Sequence, residues 1–403
     1  MYSIQTILFL AALFTSVLAS PTPTRPLEKR SFTHHVRRNI DRSHPMAGPN
    51  AMAKAFLKYN FKLTARQAAA NTTAAAQGTG KVAAAPEPNA AEYLSQVSIG
   101  GQMVTMDFDT GSSDLWVFST ALSKATIGQH GAFDPAKSTS FKVMQGASWS
   151  ISYGDGSGAA GTVGMDVVNI GGATATSQAV ELATAVSQSF VRDTNNDGLV
   201  GLAFSNLNTV KPQKQTTFFD TVMPQLAAPI FAVDLTNDTS GSYTFGAMDP
   251  TKFTGQLTTI PVQATTGFWQ VDSPSFQVGT QKVQNQGASP AIADTGTSLL
   301  LVDQQVAQTY YSQVKGAVNN PQVGGFTYPC NAVLPDFGVS MGTYMAMVPG
   351  SGITFAQVDA NTCFGGIQGN GGANLQIYGD VMFRSNYVIF DGKNKQLQAA
   401  PKK

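Results

Sequence analysis

The sequence is poor in charged residues, histidine and cysteine, and these shortages exclude several kinds of protein. Lys, Arg, Asp and Glu make up 12% of the 403 residues, which is too few for a disordered or coiled-coil chain. The only two cysteines, Cys330 and Cys363, cannot form a thiolate metal cluster. Three of the four histidines lie before residue 45, so a histidine-rich zinc site has no ligands. We therefore expect neither a metal nor a cofactor.

His130 is the single histidine in the rest of the chain. One histidine is enough for a Ser-His-Asp triad, so composition alone does not exclude that class of enzyme. Its setting, "QHGAF", matches no catalytic motif. We expect a surface histidine there.

The few charges are unevenly distributed along the chain. The first 81 residues hold 11 Lys and Arg but only 2 Asp and Glu, which leaves 14 basic and 22 acidic residues in the remainder. A basic head on an acidic body predicts an electrostatic partner within the same chain. The body has no basic stripe, so we expect no nucleic-acid partner.

Long apolar runs are also missing, and the run "ILFLAALF" at residues 7–14 is too short to span a bilayer. The small residues Ala19 and Ser20 follow it, which is typical of a signal peptide over residues 1–19, although no Lys or Arg precedes the run. A buried N-terminal helix is the alternative. The signal predicts a secreted, extracellular protein without a membrane partner, with a vacuole as the other destination.

Residues 20–85 have the composition of a pro-segment and linker. Residues 50–70 carry apolar residues at helical spacing, with lysines between them, and an Ala-rich, Pro-containing stretch follows. Lys29-Arg30 is either a processing site or a chance pair in a basic segment. Secretion favours a Cys330–Cys363 disulfide and makes Asn237, in an Asn-Asp-Thr sequon, a glycosylation candidate.

The body has the pattern of an all-β protein with minor helices. Short stretches such as "YLSQVSIG", "QMVTMDFD" and "SYTFGAM" are bounded by Gly, Asn, Asp or Pro, as strands are. Helical patterns are confined mainly to residues 216–226 and 303–314.

An internal repeat is the most informative feature. "MDFDTGSSDLWVF" at 106–118 recurs 185 residues later as "AIADTGTSLLLVD" at 291–303. Each copy is followed, 92 and 85 residues after its aspartate, by an apolar-apolar-Gly segment at 199–201 and 377–379. A lone Asp-Thr-Gly is usually a turn, whereas two copies in matching context indicate a duplicated unit.

The repeated motif suits a pair of reactive carboxylates. Strand alternation places Asp107 and Asp109 on one face, and Asp109 at the turn that ends the strand. Asp294 occupies the same place in the second copy. Two carboxylates brought together share a proton over an acidic range, so that one acts as acid and the other as base. The residues expected to support them are Thr110, Gly111, Ser112, Thr295, Gly296 and Thr297.

These motifs resemble those of the pepsin family of aspartic endopeptidases, and within it the fungal aspergillopepsins and penicillopepsins. The resemblance runs from about Glu92 to Ala400. It implies a fold of two β-lobes with a cleft between them, at about residues 86–258 and 259–403, and a monomer that hydrolyses polypeptides with Asp109 and Asp294. A catalytically inactive relative that binds peptides, and a secreted carbohydrate-binding module, are the alternatives.

The stretch "WSISYGDGSGAAG", residues 149–161, resembles the flap of that family. The resemblance implies that Tyr153 covers the cleft, that Gly154 and Asp155 bind the substrate backbone, and that Trp116 supports Tyr153. Large apolar residues are then expected on both sides of the cleaved bond. The carboxylate of Asp155 adds a hypothesis that lysine is accepted as well.

The resemblance also gives the basic head a role. In the family, a lysine followed by a tyrosine in the pro-segment pairs with the catalytic aspartates. Lys58 and Tyr59 match best, with Lys54 and Lys62 as rivals, and a mere folding aid is the alternative. The family disulfide matches Cys330 and Cys363. Tyr378 departs from the family, which has an aliphatic residue there, and Asp107 remains without a role.

Overall fold

The structure is a computed structural model that describes residues 29–39, 44–61, 92–152, 158–236 and 240–403. Within these ranges strands dominate and helices are few and short, so the prediction of an all-β, bilobal pepsin-like fold with minor helices is confirmed. No helix in the described part is long and apolar enough to cross a membrane. The signal peptide, most of the linker, Lys62, the flap tip at 153–157 and Asn237 lie outside the described residues.

The α-helices of the described residues are short, and the predicted stretches 216–226 and 303–314 contain two of them. Thr217 starts one by accepting a hydrogen bond from the Asp220 backbone N–H at 3.2 Å. The helices are α1 (Ala47–Lys58), α2 (Lys124–Ile127), α3 (Gln188–Arg192), α4 (Phe218–Val222), α5 (Gln304–Ser312) and α6 (Asp380–Phe383).

Among the described residues, the largest sheet has thirteen strands and joins residues from both halves of the chain. Its order is β11-β26-β25-β9-β10-β1-β2-β3-β8-β4-β7-β6-β5. The predicted lobe boundary after residue 258 falls at the start of β11. The strands are β1 (Phe32–Asn39), β2 (Glu92–Ile99), β3 (Gln102–Asp109), β4 (Leu115–Phe118), β5 (Lys142–Ser152), β6 (Gly158–Ile170), β7 (Ala173–Val186), β8 (Gly198–Gly201), β9 (Ile230–Leu235), β10 (Ser240–Phe245), β11 (Thr258–Pro261), β25 (Asn386–Asp391) and β26 (Gln396–Pro401).

Three smaller sheets complete the C-terminal half, in the orders β12-β15-β24-β16-β23, β14-β13-β19-β20 and β17-β18-β22-β21. The predicted disulfide forms between Cys330 and Cys363, next to β18 and within β22. The strands are β12 (Gln270–Val271), β13 (Ser275–Val278), β14 (Gln281–Gln284), β15 (Ala291–Ala293), β16 (Leu300–Val302), β17 (Val318–Asn320), β18 (Gly325–Pro329), β19 (Phe337–Met341), β20 (Tyr344–Val348), β21 (Thr354–Gln357), β22 (Thr362–Gly365), β23 (Ile367–Gly369) and β24 (Gln376–Tyr378).

Both copies of the sequence repeat have the same local topology. β8 lies between β3 and β4, parallel to the first and antiparallel to the second. β24 lies between β15 and β16 in the same way. A side chain at Gly201 or Gly379 would collide with the backbone of the neighbouring Asp-Thr-Gly loop, which explains the glycine in each apolar-apolar-Gly segment.

The expectation of a surface position for His130 is wrong. The residue is only 6% exposed, and its ring stacks on Phe118 with centroids 4.0 Å apart. Its Nδ1 and Nε2 atoms lie 3.0 and 3.2 Å from the carbonyl oxygens of Asn196 and Val191. A buried histidine of this kind ties helix α3 and the loop after it to the body, and both of its nitrogens are engaged.

Candidate active site

The two repeated aspartates lie side by side at the ends of equivalent strands. Asp109 is the last residue of β3 and Asp294 directly follows β15. Their side chains are 1% and 0% exposed. Buried apolar residues on each strand hold the turns in place, so the fold delivers two carboxyl groups to one point.

Two threonines cross between the halves and fix this arrangement. The Thr110 hydroxyl donates to the Ala293 carbonyl at 2.8 Å, and the Thr295 hydroxyl donates to the Phe108 carbonyl at 2.7 Å. Each hydroxyl also accepts a hydrogen bond from the other threonine's backbone N–H, at 3.0 and 3.1 Å. Four buried hydrogen bonds therefore set the distance between the loops.

Each carboxylate has the same donors from its own loop. The Gly111 N–H donates to Asp109 Oδ1 at 2.8 Å, and the Ser112 hydroxyl donates to Oδ2 at 2.6 Å. In the other copy Gly296 N–H donates to Asp294 Oδ1 at 3.0 Å, and the Thr297 hydroxyl to Oδ2. A Cβ at either glycine would overlap the carboxylate of the opposite copy, so only glycine fits.

The end of helix α1 lies directly over this pair. Lys58 Nζ is 2.7 Å from Asp109 Oδ1 and 3.0 Å from Asp294 Oδ1, and its side chain is 9% exposed. The Tyr59 hydroxyl donates to Asp294 Oδ2 at 2.7 Å. Lys54 is exposed on the same helix, so of these two lysines it is Lys58 that reaches the carboxylates.

With Lys58 bound, the pKa values of the two aspartates are shifted in opposite directions. Burial favours the neutral form of both, but the Lys58 ammonium and the hydrogen bonds to Asp294 outweigh it and lower the pKa of that carboxyl to about 2. The pKa of Asp109 is raised, because burial and the neighbouring carboxylate oppose its ionisation. Burial works to lower the pKa of Lys58, yet the two carboxyl groups outweigh burial and raise it.

The predicted flap residues Tyr153, Gly154 and Asp155 lie outside the described residues. Trp116, their predicted support, is 2% exposed and packs against Trp149 and Phe190, with ring centroids 5.9 and 5.0 Å away. The Trp116 Nε1 atom is buried without a hydrogen-bond partner in the described part of the chain.

A second pair of buried carboxyl groups lies behind the first loop and was not predicted from the sequence. Asp114 and Glu181 are each 1% exposed, and the Asn208 amide donates to both, at 3.1 and 2.9 Å. Asn208 also donates to the Ser113 carbonyl at 3.2 Å, which anchors the loop after Asp109. The one signal available was an acidic residue in the apolar stretch "AVELATAV".

The role of Asp107 becomes clearer as well. The residue is 2% exposed, and its Oδ1 accepts a hydrogen bond from the Phe108 backbone N–H at 2.9 Å. In this contact the Asp107 carboxylate is a partner for nearby backbone.

The chain is similar to known proteins over most of its length. A model of the eukaryotic aspartyl protease family matches residues 92–402. Aspergillopepsin-1 of Aspergillus flavus is 46% identical, with 95% of each chain covered. Penicillopepsin-1 of Penicillium rubens is 46% identical and Penicillopepsin-2 of Penicillium janthinellum 44%, each with 96% of both chains covered. The chain therefore belongs to the eukaryotic aspartyl protease family and is an aspartic-type endopeptidase.

Proposed function

We propose that this endopeptidase is made as a zymogen and hydrolyses internal peptide bonds in acid, with Asp109 and Asp294 as its catalytic pair. The observation that carries the proposal is the cross-bonded pair of Asp-Thr-Gly loops, which sets two buried carboxyl groups within reach of one ammonium. A buried pair of this kind shares a proton in the acid range.

In the active form, a water molecule between the carboxyl groups would be the nucleophile. The ionised carboxylate takes a proton from the water as its oxygen bonds to the peptide carbonyl carbon, while the protonated carboxyl donates to the carbonyl oxygen. The tetrahedral intermediate then breaks its C–N bond. The carboxyl group that took the proton from the water gives it to the leaving nitrogen, and the other carboxylate takes a proton back from a hydroxyl of the intermediate as the new carboxyl group forms. Ser112 and Thr297 donate to the outer oxygens of the two groups and hold them in line for both transfers.

The pro-segment blocks this chemistry while it is docked. Lys58 and Tyr59 occupy the space in front of the carboxyl groups. Helix α1 packs its apolar face, including Met52 and Phe56, on the C-terminal half against residues such as Phe364. This packing and the buried ion pairs support intramolecular inhibition that is relieved in acid.

We also propose which substrate side chains the enzyme prefers. The buried aromatic cluster of Trp116, Trp149 and Phe190 favours large apolar substrate residues near the flap. Acceptance of lysine depends on Asp155. Cleavage of matched Phe and Lys peptides by the parent and by Asp155→Ser tests it, and unchanged lysine cleavage contradicts it.

The remaining parts of the proposal concern maturation. A signal peptide over residues 1–19 would direct the chain out of the cell, and residues 20–85 would be removed. The mature enzyme would be an extracellular monomer with lobes near 86–258 and 259–403 and a glycan candidate at Asn237. Mass spectrometry of the protein from culture medium checks the N-terminus and the glycan together.

Acid-dependent proteolysis blocked by pepstatin is the direct test of the activity. The full chain is held at pH 3–4 to allow self-cleavage and is then assayed on a denatured protein substrate. Asp109→Asn and Asp294→Asn should each abolish turnover without changing the fold at pH 7. A preparation that binds peptide but turns over none would instead favour the inactive, peptide-binding alternative.

A further inference from the structure

The pro-segment carries a histidine at a core position of strand β1. This strand is inserted between β10 and β2 of the large sheet. Its side chains alternate, so that His34 and Val36 are buried at 8% and 1% exposure while His35 is exposed. A titratable ring thus occupies a place that a strand normally gives to an apolar residue.

The surroundings of His34 provide packing but no partner for its outer nitrogen. The ring lies against Phe108, with centroids 5.2 Å apart, and the strand register places it opposite Tyr243. A side chain at Gly171 would come within 2.8 Å of His34 Cβ, so the β6–β7 turn closes over the strand. In the described part of the chain, the buried Nε2 atom has no hydrogen-bond partner.

The charged and titratable groups near this ring do not stabilise an imidazolium. On its own strand the neighbour is His35, and on β10 it is the phenol of Tyr243. On β3, Asp107 and Asp109 flank Phe108, but their side chains alternate to the other face of the strand. Burial, and then the charge of His35, lower the pKa of His34 to about 4.

We propose that His34 is an acid sensor of the pro-segment, whose protonation drives β1 out of the sheet and begins the release of Lys58 from the catalytic pair. The proposal rests on the zymogen function stated above. β1 and α1 belong to one segment, so loss of the strand removes one of the attachments that the described residues of this segment make to the body. Phe108, which the ring covers, directly precedes Asp109.

The direction and size of the effect follow from linkage. The undocked histidine has a pKa of about 6.5 and the docked one of about 4, so undocked β1 binds more protons between those values. The docked state is therefore fully stable above pH 6.5 and loses stability as pH falls through that range. The docking equilibrium falls roughly 20-fold between pH 7 and pH 5.

This sensor would act in a different pH range from the catalytic pair. With the lysine bound, Asp294 keeps its charge until the pH approaches 2. The Lys58 contacts to that residue therefore change little between pH 7 and pH 4, where His34 titrates. The histidine would loosen the strand first, and stronger acid would then release the lysine.

Hydrogen exchange of the β1 amides in the full chain tests the proposal without relying on catalysis. All variants carry Asp109→Asn, which prevents self-cleavage, and opening constants are corrected for intrinsic exchange at each pH. Between pH 7 and pH 5, opening should rise roughly 20-fold more in the chain with His34 than in His34→Leu. His35→Gln, the matched control on the exposed face, should behave like the chain with both histidines.

Equal pH dependence with and without His34, or loss of the effect in His35→Gln, overturns the proposal. If β1 of His34→Leu fails to dock at pH 7, His34→Phe, which keeps a ring on Phe108, takes its place. If β1 docks in neither variant at pH 7, the sensor proposal is overturned as well. In the active chain, self-cleavage of His34→Leu should begin at a lower pH than that of the parent. A normal exchange result combined with no self-cleavage in any variant would contradict the peptidase function and not the sensor.

Discussion

The crossed threonines link the two loops that carry the proposed catalytic pair. Thr295→Val keeps the shape of the residue but leaves the Thr110 N–H without its buried partner. The Phe108 carbonyl loses the Thr295 donor at 2.7 Å and keeps only the longer hydrogen bond from the Tyr243 hydroxyl, at 3.3 Å. We expect a loss of about 1–3 kcal/mol in the free energy of unfolding. We also expect kcat to fall by roughly 10–100-fold, since small displacements of reacting groups are costly. Thr309→Val, which removes a hydroxyl bonded only within helix α5, is the control for both assays.

The carboxyl pair behind the first loop gives a second prediction, about pH. Burial, and then the Asp114 carboxyl, raise the pKa of Glu181 well above its ordinary value. The folded state therefore holds a proton that the unfolded chain releases above about pH 4.3, and stability falls as pH rises beyond that value. Glu181→Gln keeps the contact to Asn208 without ionising, so its Tm should fall less between pH 4 and pH 7.

Thermal unfolding in an Asp109→Asn background measures this difference without self-cleavage. Each kcal/mol recovered corresponds to about 1–2 °C in Tm for a chain of this size. Asp272→Asn, which changes an exposed carboxyl group, is the control and should leave the pH dependence as it was. A Tm that falls as steeply in Glu181→Gln as in the parent would show that the pair ionises without cost.

Some functional and structural residues could be predicted from the sequence and others could not. Asp109 and Asp294 stood out because a duplicated motif is visible in the sequence. Tyr378 was flagged only as an exception to the family pattern, and the structure shows that its buried hydroxyl bonds to Ser273, 105 positions earlier. Nothing in the local sequence links such a pair, because the contact exists only once the sheets are assembled.

Helix α1 was predictable from its periodicity, but its ends were not. The pattern at 50–70 indicated a helix, whereas the described helix begins at Ala47 and ends at Lys58. Pro49 is accommodated in the first turn, where no backbone N–H is needed. Asn60 adopts a positive φ of 55°, which stops the helix where Lys58 and Tyr59 meet the carboxyl groups.

The position of that helix end predicts how Lys58→Ala changes activation. Because the pKa of Asp294 is low in the docked state, the Lys58 contact stabilises docking fully above the ordinary aspartate pKa of about 4. That stabilisation is lost as the pH falls from about 4 toward 2. Without Lys58 a buried ion pair loses one partner, at a cost of about 3–5 kcal/mol. Self-cleavage should then begin at higher pH and proceed faster.

Gel analysis of self-cleavage across pH 2–7 checks this. Lys54→Ala, which removes an exposed lysine of the same helix, is the matched comparison and should shift the activation pH much less than Lys58→Ala does. If Lys58→Ala were activated at the same pH and rate as the parent, the pro-segment would act only as a folding aid.

The assembly of the large sheet shows the limit of prediction from sequence for the whole molecule. Alternation and turn residues indicated the strands of the body and the class of the fold. The insertion of β1 between β10 and β2 was not foreseen, because it pairs residues about 200 positions apart. Such pairing depends on the shape of the finished sheet and leaves no local pattern.

The charge asymmetry between head and body leads to a prediction about salt. We expect the basic head of the chain to be attracted to its acidic body, and salt screens exposed charges beyond about 10 Å at 0.1 M. Raising salt from 0.02 to 0.5 M at pH 5 should therefore speed self-cleavage roughly fivefold, equivalent to about 1 kcal/mol. Because the Lys58 contacts are buried and less screened, Lys58→Ala should keep this salt response. The rate at which the mature enzyme cleaves a neutral peptide, measured at the same salt concentrations, corrects for salt effects on catalysis. If the corrected self-cleavage rate does not rise with salt, long-range attraction is not part of the inhibition.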